Sequence, residues 1–389
     1  MTSTVPSASI IFLPRERYEL TAESLATMLD NTAEPFELFV VAPAGPDRDR
    51  RELDEVLERR PATTVLEADA PLLPAASKNL ALGHVTGDFV AIVENDVLYP
   101  SGWLEGLIAA ALEFPADVVS PLIREGRGAD EHFDHHLGRI DATSDDEPVR
   151  IRGIDGPRNA LTERTQVDFV EQHCLLYRRT ALAAITPFDE ELNTRDEVDV
   201  SMALWAAGQT IVVEPAVRIN YVPPTTSPAD DELDYYLLRW DEERATASRQ
   251  RIRARWNLAD TPGDLGFVRA RNNLVSLPHM HDTLAGLVAE GGRTILLENG
   301  EWFGTEVTGD LDLVPFTDCQ GHFGGFPSDD AESMEEFNRA VAAGARQLII
   351  GWPADWWLDH LPALRDHLEH HARLVRDDAR LRVYALEGL

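Results

Sequence analysis

The stretch NLALGHVTGDFVAIVENDVLYPSGW, residues 79–103, decides how the chain folds. At its centre the apolar run Phe89-Val90-Ala91-Ile92-Val93 leads into Glu94-Asn95-Asp96, and Pro100 and Gly102 then break the pattern. A short β-branched run between such signals predicts a buried strand. It would deliver the acidic triplet to the carboxyl edge of an α/β sheet, where ligands bind. Two carboxylates one residue apart at that edge can hold a hard divalent cation, which can in turn hold a diphosphate. The alternative for the triplet alone is a solvated acidic loop.

Working outward, the segments 9–13, 36–41 and 64–67 read as strands, and 19–31, 48–59 and 75–82 as helices. This alternation predicts a mainly parallel sheet with helices on both faces. Beyond the triplet, 102–113 should be helical and 117–121 a strand, whereas 126–157 reads as a long loop. Strand character resumes over 167–177, 210–213 and 217–222, with a helix over 197–207 between them. A charged helix is expected over 230–256 and a connector over 263–273. From about 278 the pattern restarts as a smaller α/β unit, with helices at 282–289, 331–343 and 363–370 and strands at 294–297, 347–351 and 380–385. The expected organisation is therefore 1–228, a helical extension and connector at 229–274, and an accessory domain at 275–389.

Composition narrows the function. The 389 residues hold 35 basic and 68 acidic side chains, a formal net charge of -33. Such a field repels nucleic acid and anionic lipid. Lys78 is the sole lysine. Surplus carboxylate with so little lysine fits a halophilic-type protein kept soluble in concentrated salt, where screening relieves self-repulsion. Only Cys174 and Cys319 are present, without a CxxC spacing, so a disulfide framework is not expected and a reducing, cytoplasmic setting is. No apolar stretch approaches the roughly 20 residues of a membrane span, and the amino terminus lacks a signal-peptide pattern.

Four stretches in order, 10–20, 36–46, 79–103 and 167–223, resemble inverting glycosyltransferases of family 2, which have the GT-A fold. The resemblance covers roughly the first two-thirds of the chain. It implies a hexosyltransferase-like enzyme that moves a sugar from a nucleoside diphosphate sugar to an acceptor hydroxyl, in surface or secreted glycan assembly. Mg²⁺ or Mn²⁺ would assist, and a lipid-linked acceptor would imply peripheral membrane contact. Asp96 matches the family's metal-ligating carboxylate; Glu94 stands where the family usually has Asp, contacting ribose or metal, and Asn95 orients the turn. Lys78-Asn79 matches an Arg-Asn or Lys-Asn pair beside the nucleotide, and Pro14-Arg15-Glu16 matches a loop bordering the nucleobase. Glu197 falls on the family's general base, with Asp196 and Asp199 as substrate-side neighbours. Two departures stand out: Ala42 where many relatives carry a base-binding Asp, and Tyr221 where many carry a metal-ligating His.

The same residues have plainer readings. Asp196, Glu197 and Asp199 could merely favour a helix start. Gln172 and His173 end a strand near where donor sugar and acceptor would meet; His173 could touch the diphosphate or a sugar hydroxyl, or serve local hydrogen bonds. His132, His135 and His136 are either a polar loop or a zinc cluster. Trp352, Trp356 and Trp357 are either core packing or a sugar-stacking face. The rival functions are a non-catalytic binder of nucleotide sugars or glycans, suggested by Ala42 and Tyr221, and a nucleotidyltransferase, whose usual Gly-rich loop is missing after the first strand. A last rival is an interaction role for the accessory domain, whose WPADWWLDHLPALRDHLE stretch resembles a small domain often attached to glycosyltransferases.

Overall fold

The computed structural model describes residues 7–13, 17–33, 35–43, 47–127, 137–142, 147–153, 161–222, 228, 232–259, 266–298, 302, 307–319, 322–327, 329–352, 354–378 and 380–386. The chain divides into two compact units, Met1–Val268 and Arg269–Leu389.

In the first unit, β1 (Ala8–Leu13), α1 (Thr21–Asp30), β2 (Glu37–Pro43), α2 (Asp47–Leu57), β3 (Thr64–Ala68), α3 (Pro74–Leu82) and β4 (Phe89–Glu94) form the expected alternation. They are followed by β5 (Val97–Leu98), α4 (Trp103–Glu113), β6 (Val118–Glu125), β7 (Leu137–Asp141), β8 (Arg150–Gly153), β9 (Thr165–Val167), β10 (Phe169–Val170) and β11 (Cys174–Arg178). Then come α5 (Arg179–Ile185), α6 (Asp196–Ala206), β12 (Ile211–Tyr221), α7 (Leu233–Trp240) and α8 (Glu242–Trp256). Among the described residues the main sheet has the order β3-β2-β1-β4-β11-β6-β12-β5, with β9 also paired to β12. The β1–β4 and β6–β12 pairs are parallel, and β11 runs antiparallel to both β4 and β6.

Burial explains why these runs became strands. On β1, Ile10 and Phe12 enter one core cluster while Ile11 and Leu13 enter the other; on β4, Ala91 and Val93 oppose Val90 and Ile92 in the same way. Alternate side chains thus fill helix-covered cores on both faces, which is why both sequences are continuously apolar.

Several local expectations change. The loop expected over 126–157 contains the β7–β8 hairpin, in register from Gly138↔Gly153 to Asp141↔Arg150. Its Leu-Gly-Arg-Ile-Asp and Arg-Ile-Arg-Gly strands alternate too weakly to be read as such. The strand expected over 167–177 is divided into β9, β10 and β11, so that residues 171–173 leave the ladder. The two strands expected over 210–222 are one strand, β12, with an irregularity between Glu214 and Arg218. Pro215, which has no N–H for the ladder, lies at that break. The helix expected over 230–256 breaks at Asp241, whose side chain caps α8 by accepting from Arg244 N at 2.7 Å.

The second unit contains α9 (Gly266–Gly291, which begins in the first unit), β13 (Thr294–Leu297), β14 (Leu313–Pro315), β15 (Asp318–Cys319), β16 (His322–Phe323), α10 (Asp330–Ala342), β17 (Gln347–Gly351), α11 (Trp357–His360), α12 (Pro362–His371), β18 (Arg373–Asp377) and β19 (Leu381–Ala385). Its sheet runs β14-β13-β17-β19-β18, parallel over the first three strands and antiparallel over the last two. Residues 266–273, expected as part of a connector, open α9 instead; their Gly and Asn raise the cost of a helix without forbidding it. The tryptophans divide by role. Trp357 is core, edge-on to Phe316 at 6.0 Å, whereas Trp356 is 41% exposed and stacks on Phe326 at 5.0 Å.

Candidate active site

Chain direction assembles the site. β4 runs out to Glu94, and antiparallel β11 starts beside it, with Cys174 opposite Val93. One step further, Glu94 N donates to His173 O at 3.1 Å, so residues 79 positions apart become neighbours. β12 runs in the same direction as β4 and ends at Tyr221, and Val222 N donates to Asp96 O at 2.8 Å. Helix α6 precedes β12 and returns across the sheet, which puts its first turn at the same carboxyl edge.

The first cluster is Glu94, Asp96 and His173, all buried, with one ligand atom from each lying within 4.8 Å of the others. His173 Nδ1 lies 3.1 Å from Glu94 Oε2 and 3.7 Å from Asp96 Oδ1. The imidazole stacks on Tyr221 with ring centroids 4.0 Å apart and an interplanar angle of 26°. Asn95 braces the turn: its N–H donates to Leu13 O at 3.0 Å, and its side chain donates to Arg17 O at 2.5 Å and Thr21 Oγ1 at 2.8 Å. Burial disfavours a charged imidazole, but the Asp96 and Glu94 carboxylates outweigh it and raise His173 from 6.5 to about 10.

Two carboxylates and an imidazole suit a divalent cation. The sequence pattern assigns His173 to substrate and leaves the cation short of a ligand at Tyr221. In the structure the imidazole comes from the start of β11, and Tyr221 supports it from behind.

The second cluster is the first turn of α6. Arg195 precedes it in left-handed conformation, φ 64° and ψ 20°. For a non-glycine residue this is a strained geometry of the kind found at functional sites. Asp196 Oδ2 accepts from Lys78 Nζ at 2.6 Å, and Arg239 Nη2 lies 3.8 Å from Asp196 Oδ1. Glu197 is partly exposed, its Oε1 lying 3.8 Å from Arg195 Nη1. Desolvation and then the charge of Asp196 hold Glu197 above its ordinary 4.5, against the pull of Arg195 and Arg239. Asp199 is buried and accepts from Trp256 Nε1 at 2.6 Å and from Arg255 Nη1 at 2.9 and 3.1 Å. Its carboxyl too is raised, by burial first.

Gln172 and His173 join the clusters. His173 faces Glu94 and Asp96, while Gln172 Oε1 accepts from the same Lys78 ammonium that donates to Asp196. Consistent with that convergence, buried Tyr177 is pushed upward by desolvation, then by the charges of both Asp196 and Glu94. Asn79 does something different from its neighbour. It donates to Phe188 O at 2.9 Å and Glu190 Oε1 at 2.8 Å and accepts from Phe188 N at 2.9 Å, fixing the segment ahead of α6.

Sequence reasoning missed the contribution of α7 and α8. Glu232, buried at the start of α7, accepts from Tyr18 N at 2.8 Å and Arg17 Nε at 3.3 Å. At the other end of α7, Asn193 donates to Arg239 O at 3.1 Å and exchanges hydrogen bonds with Ser248 of α8. The one local signal was the repeated Arg-Trp pair, Arg239-Trp240 and Arg255-Trp256, with each guanidinium over its neighbouring indole. Pro14, Arg15 and Glu16, and His132, His135 and His136, lie outside the described residues.

Residues 9–186 match the model of glycosyl transferase family 2. The expected resemblance therefore holds for that segment, together with its GT-A-like α/β architecture. A pre-mycofactocin glycosyltransferase of Mycobacterium tuberculosis is 27% identical over 151 residues, 38% of this chain and 30% of that protein. The match thus spans less than a third of the relative's length. Solved structures resemble the chain more loosely. GalNAc-T7 with UDP, GalNAc and Mn²⁺ gives a TM-score of 0.47 at 13% identity, covering 74% of this chain and 58% of that one. The mannosyltransferase PcManGT from Pyrobaculum calidifontis, with GDP-Man and Mn²⁺, gives 0.45 at 18% identity, covering 74% and 81%. Among the described residues, no helix is long and apolar enough to cross a membrane.

Proposed function

We propose that the first unit transfers a hexosyl group from a nucleoside diphosphate sugar to an acceptor hydroxyl, inverting the anomeric carbon with the help of Mn²⁺ or Mg²⁺. One observation carries the reading: the Glu94, Asp96 and His173 cluster, which lies inside the segment matching glycosyl transferase family 2, is joined through Gln172, Lys78 and Asp196 to the helix turn bearing Glu197 just beyond that segment.

Glu94, Asp96 and His173 would hold the cation. When bound, it neutralises charge that grows on the departing diphosphate. The acceptor oxygen forms its bond to the anomeric carbon on the face opposite the diphosphate, and the bond to the diphosphate oxygen breaks with its electron pair leaving on that oxygen. Glu197 takes the hydroxyl proton. A raised proton affinity suits that task, since a general base works best when its affinity approaches the working pH. The acceptor belongs to glycan assembly, and a lipid-linked acceptor would be met from the membrane surface. The reducing, cytoplasmic setting expected from the two cysteines forms part of the same proposal.

Turnover of a panel of nucleotide sugars with Mn²⁺ at high salt, in wild type and Glu197→Gln, tests this. The wild type should release nucleoside diphosphate, and the variant should bind nucleotide without turnover. Two inert proteins that both bind nucleotide sugar would favour a non-catalytic binder. Pyrophosphate released from a nucleoside triphosphate and a sugar phosphate would favour a nucleotidyltransferase.

A further inference from the structure

The resemblance puts Lys78 beside the nucleotide; in the structure its ammonium spans Gln172, the neighbour of His173, and Asp196, the first residue of α6. It is 1% exposed, and its ammonium donates to Gln172 Oε1 and Asp196 Oδ2 and lies 5.5 Å from the centre of the Phe188 ring. Asp196 opens α6 and stands next to Glu197, and the Arg239 guanidinium approaches it at 3.8 Å from α7. With 35 basic residues and a single lysine, the chain uses arginine for its other 34 (35 − 1). An ammonium is compact and rotates its three donors freely, whereas a guanidinium is a wide planar fork. Lys78 uses that compactness to reach Gln172 and Asp196 with one buried ammonium.

Building on the transferase reading, we propose that Lys78 is a positioning residue of the acceptor side: with Arg239 it holds Asp196 as a buried carboxylate, and through Asp196 it fixes the turn that carries Glu197. The charged groups around Glu197 are then Asp196 and Arg195 from its own segment and Arg239 from α7, with Lys78 reaching it through Asp196. Removing Lys78 strips a positive charge from this set, so the Glu197 proton is held more tightly and the acidic limb of the kcat profile moves to higher pH.

The test uses the full chain and five proteins: wild type, Lys78→Met, Lys78→Arg, Asp196→Asn and the double variant Lys78→Met/Asp196→Asn. Melting temperature is read in each, and affinity for UDP and for GDP with Mn²⁺ by titration calorimetry. Lys78→Met should melt several degrees lower, because Asp196 loses its nearest cation, and the double variant should recover at least half of that loss. Nucleotide affinity should stay within about threefold, while kcat falls about tenfold with its acidic limb displaced upward and donor KM little changed. Lys78→Arg should not restore kcat. Additive melting losses, or a tenfold loss of nucleotide affinity with an unchanged melting temperature, would overturn the proposal. If the transferase reading itself is wrong, wild type and every variant alike release no nucleoside diphosphate from nucleotide sugars, and the melting cycle still decides whether Lys78 and Asp196 act as a pair.

Discussion

The two acidic clusters at the carboxyl edge use the same side chains in opposite ways. In the α6 turn each carboxylate is matched by a cationic side chain of the protein: Lys78 and Arg239 for Asp196, Arg195 for Glu197, Arg255 for Asp199. At the end of β4, Glu94 and Asp96 both face the His173 imidazole, which can carry a proton or bind a metal ion. The first arrangement fixes carboxylates in place and tunes one of them. The second gathers two carboxylates and an imidazole close enough to share one incoming cation.

That contrast can be broken by substitution. Glu197→Gln should cut turnover by about 10²–10⁴-fold while leaving Mn²⁺-dependent nucleotide binding intact, as removal of a general base does. Asp96→Asn should cost about 10²–10³-fold in turnover and abolish the Mn²⁺ dependence of nucleotide affinity by calorimetry. If both variants lose nucleotide binding equally, the division of labour is wrong. A smaller effect is expected at Asp199→Asn, which weakens charge-assisted bonds from Arg255 and Trp256. About 1.5–3 kcal/mol of stability should go, lowering the melting temperature by about 2–4 °C per kcal/mol, with donor KM unchanged. Tyr221→Leu removes the stack behind His173; aromatic pairs contribute about 0.5–1.5 kcal/mol, so Mn²⁺ affinity should fall about tenfold or less.

The subtlest test is pH. Glu197 is raised above 4.5 in the folded protein, so folded and unfolded chains bind its proton alike below 4.5, and the folded form binds it better above. Its contribution to stability is therefore fully present at low pH and lost as pH rises through the raised value. Glu197→Gln removes this loss, and the variant should melt no lower than wild type at neutral pH and gain relative to it as pH rises from 4.5. A variant that loses stability relative to wild type as pH rises would show that the carboxylate is not held in a proton-retaining environment.

How far these features could be read in advance depended on how local their causes are. The β1 and β4 strands were legible because two buried faces demand unbroken apolar sequence, and the acidic triplet because a strand end presents the residues just beyond it to the edge of the sheet. The turn at Arg195 and the helix after it carried a local signal in their run of carboxylates. His173 did not. Its place beside Glu94 depends on the antiparallel register of β11 against β4, which no periodicity within residues 167–177 encodes. The grip of α7 and α8 on residues 193–199 was hidden for the same reason: Ser248, Arg255 and Trp256 meet Asn193 and Asp199 only after about fifty residues of chain have returned to the edge. The partnership of Lys78 with Asp196 is 118 positions long, and no local pattern around either residue encodes it.

The most direct test is anomalous diffraction at the manganese edge from crystals soaked with Mn²⁺ and a nucleoside diphosphate. A single strong peak about 2.0–2.3 Å from oxygens of Glu94 and Asp96 and a nitrogen of His173, with diphosphate oxygens completing the shell, is the expected result. A peak elsewhere, with His173 still paired to both carboxylates and the nucleotide bound without metal, would contradict it.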